Sequence, residues 1–147
     1  MAFKAVVTNA FVEQIIATLK KLTVEQGEFT LAMIVRSETG LSDRWNLVLS
    51  AKWLDDNGLQ AEIPTITASL QKQLSKTNAS KIDLVSVLPT NHPLVKDLMD
   101  LDIAIGKAYK VEASALMIRG LFDVVVFAAQ KPHSAAKIQR QKIRTRA

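Results

Sequence analysis

The chain has 147 residues, with 19 Lys and Arg against 14 Asp and Glu and a formal net charge of +5. Six of those bases and no acid fall in residues 131–147 (Lys131, Lys137, Arg140, Lys142, Arg144, Arg146), which leaves 13 bases and 14 acids, a net of −1, in residues 1–130. A hydrophobic content of 48% with 22% charged residues argues against disorder over 1–130, and the lack of cysteine excludes disulfides, thiolate metal sites and cysteine nucleophiles.

This length favours a single globular α/β domain over 1–130, followed by a basic C-terminal tail over 131–147. The longest apolar stretches, 113–118 and 124–129, are well short of the ~20 residues of a membrane span. The start of the chain offers too short an apolar run for a signal peptide. A soluble, cytoplasmic protein with no membrane partner is expected.

Along the chain, Phe11, Val12, Ile15, Ile16, Leu19 and Leu22 recur at helical spacing. They predict an amphipathic helix that starts after Thr8 or Asn9 and ends before Gly27. Two alternating segments follow, 29–36 and 45–53, joined by a link rich in turn formers that contains Gly40. They predict an antiparallel hairpin. Asp55-Asp56-Asn57-Gly58 predicts a turn. A second helix is expected over 64–76, with Pro64 in its first turn, then a loop over 75–80. A strand is expected over 82–88. A third helix follows, capped by Thr90 or Asn91, with Pro93 in its first turn and Gly106 ending it.

The stretch 109–130 reads as two strands, with a break near Gly120 and Asp123. Residues 124–129 show no alternation, so both faces of the last strand should be covered. The expected architecture is one mixed sheet of four to five strands with an N-terminal helix, the opening antiparallel hairpin and two further helices. The strand after each later helix should run parallel to a predecessor.

The chemistry-bearing patterns are mostly exclusions. Five glycines, at 27, 40, 58, 106 and 120, cannot assemble a phosphate-binding loop or a dinucleotide fingerprint. Two histidines, His92 and His133, stand apart from any second ligand at metal spacing. The acidic turn at 55–58 lacks calcium-loop spacing, with Glu62 in the wrong place. Ser69-Leu70-Gln71-Lys72 has none of the elements that accompany a Ser-x-x-Lys nucleophile. No cofactor, metal site or catalytic residue is implied, and no motif assigns a family.

The order helix–strand–strand–helix–strand invites comparison with nuclease cores of the restriction-endonuclease type. Asp43 and Lys52 stand at workable places, but Ser50 occupies the position of the second carboxylate, so a Mg²⁺ ion would lack a ligand. The even positions of the hairpin are semi-polar. Thr30, Arg36, Asn46, Ser50 and Lys52 alternate with Ala32, Ile34 and Val48, and suggest a surface that docks a second copy of the chain, its own tail, or an anionic ligand held by Arg36 and Lys52.

The sequence therefore reads as a domain acting by binding or self-association, with a homodimer as the base-rate partner. Two other readings stand beside it. One is an enzyme with a dispersed site drawn from Arg36, Lys52, Asp55, Asp56 and His92. The other is a nucleic-acid-associated protein anchored by Lys137, Arg140, Lys142, Arg144 and Arg146. The tail has no aromatic residue for base stacking, so any such contact is with phosphates. If the tail anchors nucleic acid, a truncation ending at Gln130 loses affinity for DNA and RNA, and a salt slope of about −5 collapses toward zero in titrations at several ionic strengths. Equal binding by the truncated and full chains excludes that role.

Overall fold

A computed structural model of the chain describes residues 4–37, 44–111 and 121–131. The expected α/β class with a single mixed sheet is what these residues form, with six strands rather than four or five. The elements are β1 (Lys4–Val7), α1 (Ala10–Glu25), β2 (Leu31–Ser37), β3 (Trp45–Ser50), α2 (Lys52–Asn57), α3 (Ile63–Gln73), α4 (Lys76–Ala79), β4 (Ile82–Val87), α5 (Pro93–Leu98), a 3-10 turn (Met99–Leu101), β5 (Ala108–Val111) and β6 (Leu121–Ala129). Asp43, the apolar stretch 113–118, Gly120 and the tail from residue 132 onward, with Lys137, Arg140, Lys142, Arg144 and Arg146, lie outside the described residues.

The strand order is β1-β5-β6-β2-β3-β4. The additional strand is β1, whose four residues carry too little pattern to be read alone. It forms because β5 supplies an antiparallel partner from Val111 to Ala108. β4 runs parallel to β3, as expected of a strand that follows a helix. β5 does not follow that expectation, because it is antiparallel to both β1 and β6. The short α5 leaves the chain on the far side of the sheet, and β5 returns as an outer partner of β6.

α1 starts where the sequence places it. The side chain of Asn9 accepts a hydrogen bond from the Val12 N–H at 2.9 Å, satisfying one otherwise unpaired donor of the first turn. Phe11, Val12, Ile15, Leu19 and Leu22 form its buried stripe. Together with Leu54 of α2 and Ile66 and Leu70 of α3, they cover one face of the sheet. Val95 and Leu98 of α5, with Ile103, cover the other. Sheet residues between these layers are shielded on both sides. Val124 through Ala129 are all buried, in agreement with the missing alternation.

Several boundaries differ from the sequence expectation for local reasons. β3 stops at Ser50, and Lys52 opens α2, so the acidic residues Asp55 and Asp56 are helical rather than in a turn. The 75–80 segment contains α4, capped by the Ser75 side chain. α5 is capped by His92, whose Nδ1 accepts from the Leu94 N–H at 3.1 Å, instead of by Thr90 or Asn91. The helical run ends at Asp102, which takes a left-handed conformation, and not at Gly106.

The link from α1 to β2 depends on Gly27. Its φ is +142°, and a Cβ there would stand 3.0 Å from Cδ1 of Trp53. Trp53 in turn packs edge-on against the buried Phe29 ring at 5.6 Å. Gly27→Ala therefore combines a disfavoured backbone with a side-chain clash. It should lower the unfolding free energy in urea by ~1–3 kcal/mol, with a change in tryptophan fluorescence of the native state.

Candidate functional site: a cationic cleft at the start of α1

The hairpin register decides where the semi-polar residues go. Leu31 pairs with Ser50, Met33 with Val48 and Val35 with Asn46, so odd positions of β2 share a face with even positions of β3. The connection from Arg36 to Trp45 holds an even number of residues, which reverses the parity between the two strands. The five residues Thr30, Arg36, Asn46, Ser50 and Lys52 therefore do not form one face. Asn46 and Ser50 lie on the side of Leu31, Met33 and Val35, whereas Arg36 lies on the side of Ile34, Leu47 and Trp45. Thr30 and Ser50 are fully buried. Lys52 is exposed on α2, 3.5 Å from Asp56.

The dispersed constellation of Arg36, Lys52, Asp55, Asp56 and His92 also separates. β2 and β3 are antiparallel, so Arg36 stands beside the start of β3, and α2 follows its end. Six residues of strand, roughly 20 Å, lie between. At the far end Asp55 accepts a hydrogen bond from the Thr90 N–H at 3.3 Å, tying α2 to the turn that leads into His92. Among the described residues no cluster of three or more His, Cys, Asp or Glu side chains could hold a metal ion. Nor is any of their helices long and apolar enough to cross a membrane.

Arg36 instead joins a group the sequence does not bring together. An open cleft of about 740 Å³ lies at the N-terminal end of α1, where β2, β3, β5 and β6 pass beneath it. Its apolar part is formed by Val7, Phe11, Val12, Ile34 and Val125, and its polar part by Arg36, Lys81, Lys110 and Asp123, with Asn9 and Asn78 beside them.

Each charged side chain is held in place. Asp123 pairs directly across from Arg36 in the β2–β6 ladder, and their side chains form a salt bridge. The Asp123 side chain is only 13% exposed, and Lys110 of β5 approaches its other oxygen at 3.6 Å. A carboxylate this far out of water requires such partners, since desolvation of an unpaired charge costs several kcal/mol. The Arg36 guanidinium also lies over the Trp45 ring, 5.3 Å from its centre, an attraction worth ~0.5–2 kcal/mol.

On the opposite wall, Lys81 stands 5.4 Å from the centre of the Phe11 ring. Its backbone carbonyl accepts from the Trp45 N–H at 2.7 Å, which fixes the two walls relative to each other. Gln14 of α1 holds the same region through its Oε1, which accepts from the Ser75 N–H at 2.9 Å and from Asn78 Nδ2 at 3.0 Å.

The sequence reading singled out Arg36 but neither Lys81, Lys110 and Asp123 nor the two rings. One signal was available for Asp123. It is a lone acid at the head of a run buried on both faces, and such a group needs a cation from a neighbouring strand.

In comparisons with known proteins, the chain matches no family model and no curated protein.

The geometry separates the roles of the two cations on Asp123. Arg36 is largely buried with it, and Lys110 is 57% exposed. Arg36→Ala should cost ~3 kcal/mol in urea denaturation, and Lys110→Ala under about 1 kcal/mol.

Proposed function

We propose that this domain acts by binding, and that the cleft at the start of α1 receives a small anionic ligand. The observation that carries the reading is the charge lining the cleft among the described residues, three cations (Arg36, Lys81, Lys110) against one carboxylate (Asp123), where residues 1–130 as a whole sum to −1. That concentration of positive charge beside low-dielectric walls attracts anions more strongly than the chain average suggests. The volume is within the ~300–1,000 Å³ range of pockets for small molecules. The contacts of Arg36 with the Trp45 ring and of Lys81 with the Phe11 ring support the reading further, since each holds a cation at the cleft.

Self-association, the other half of the binding reading, has the outer edge of β4 as its natural surface, where Leu84 is 58% exposed. The register of β4 shifts between the Trp45 and Asn46 pairs, and Lys81 and Asp83 are exposed beside it. Irregular, charged edges oppose open strand pairing. A dimer built on this edge is the weaker reading.

The anion-binding reading is tested by titrating the purified chain with a panel of small carboxylates and phosphates in a calorimeter. The expected result is saturable binding that weakens as salt is raised. The double variant Lys81→Ala with Lys110→Ala should bind about tenfold more weakly while remaining folded, with its unfolding midpoint lowered only slightly because both side chains are exposed. Equal affinity in wild type and double variant overturns the assignment to this cleft.

A further inference from the structure

Resting on that reading, we infer that the ligand carries two separate anionic groups on a short linker, one for Lys110 and one for Lys81. The distribution of charge along the row of strands leads there.

The two lysines flank the cleft from opposite ends. The row runs β5-β6-β2-β3-β4. Lys110 belongs to β5, and Lys81 immediately precedes β4. Between them, Asp123 and Arg36 are committed to each other by their salt bridge. Lys110 is the looser partner of Asp123, 3.6 Å away and 57% exposed, so it still faces the cleft as a cation. Lys81 is exposed as well, and among the described residues no carboxylate lies within ion-pair distance of its ammonium. The acid closest to it in sequence, Asp83, faces Arg44 instead, at 3.7 Å.

The separation of these two cations is fixed by the sheet. The Lys110 ammonium stands beside Asp123 on β6. The Lys81 backbone is three strand spacings further along the row, roughly 14 Å. It is locked there by the bond from the Trp45 N–H to its carbonyl at 2.7 Å. The Lys81 side chain shortens that gap by its own length, ending 5.4 Å from the centre of the Phe11 ring. What is left is wider than one carboxylate or one sulfate spans. A single anionic group therefore meets one lysine, whereas two groups on a linker meet both.

The apolar side chains of the cleft do not open a pocket for a hydrocarbon tail. Ile34 is 1% exposed and Phe11 is 7% exposed. The linker thus crosses the cleft between charged groups, and its length sets the fit. Two carboxylates, or a carboxylate with a phosphate-type group, both satisfy this pattern, and the test separates them.

The purified chain is titrated in a calorimeter at low ionic strength with butyrate and sulfate, with succinate, glutarate, adipate and pimelate, and with 3-phosphonopropionate. The best two-headed anion should bind about fivefold more tightly than butyrate, the effect of one additional exposed ion pair. Lys81→Ala and Lys110→Ala should each remove that preference and leave the butyrate Kd within about twofold, since one lysine remains in either variant. Lys81→Gln, which keeps most of the side-chain stem beside Phe11, should act as Lys81→Ala does. Lys52→Ala removes an exposed cation from α2, outside the cleft, and should leave every Kd unchanged.

Tighter binding of 3-phosphonopropionate than of every dicarboxylate assigns a phosphate-type head, and the reverse assigns two carboxylates. Butyrate or sulfate binding as tightly as the best two-headed anion overturns the two-point ligand while leaving an anion cleft. So does a preference for two heads that survives either lysine variant. No binding of any anion overturns both.

Discussion

Pairing of β2 with β6 is the contact on which the rest of the structure depends. From Leu31 to Val35 and from Val124 to Ala129 every side chain is buried, whichever face of the sheet it points to. A strand pair of this kind cannot be stable with one face in water, so it demands a helical layer on each side. α1, α2 and α3 supply one layer, and α5 with the 3-10 turn supplies the other. The outer strands extend this centre: β3 and β4 beyond β2, and β5 and β1 beyond β6.

The cleft exists because that buried pair has to end. At Arg36 and Asp123 the two strands leave the core together, and the first polar pair in the ladder is also its first charged pair. Asp123 is still mostly shielded, so its charge is tolerable only with Arg36 beside it, and the exposed Lys110 adds a weaker second partner. Two cations around one buried carboxylate leave an excess of positive charge at the surface. Lys81, brought in by the β3–β4 crossover and held by its backbone bond to Trp45, adds to it. The same arrangement that makes a buried acid acceptable therefore produces a cationic site flanked by core residues.

How far this was legible from the sequence varied by element. α1 could be read almost to the residue, because its stripe repeats over sixteen positions and Asn9 is a strong cap. The cover on both faces of β6 followed from an apolar run without alternation. β1 escaped detection, since four residues hold no periodicity and its stability comes from β5. The strand expected to run to Trp53 stops at Ser50, because a half-buried Trp and a polar Lys alternate equally well at a strand end and in the first turn of a helix. The strand alternation marks Arg36 as unusual but groups it with Ser50 and Lys52, from which the register separates it.

The sequence by itself determined the class of the fold, the main helix, the twice-covered central strand and the division of charge between near-neutral residues 1–130 and basic residues 131–147. These are properties of composition and short-range periodicity, which each segment carries alone. Only the tertiary structure decided which charges meet. Arg36, Lys110 and Asp123 come from three different strands and Lys81 from the turn before β4, and their meeting depends on strand register and crossover. A shift of one residue in the pairing would turn Arg36, Lys110 or Asp123 to the opposite face of the sheet, and no local pattern records that choice.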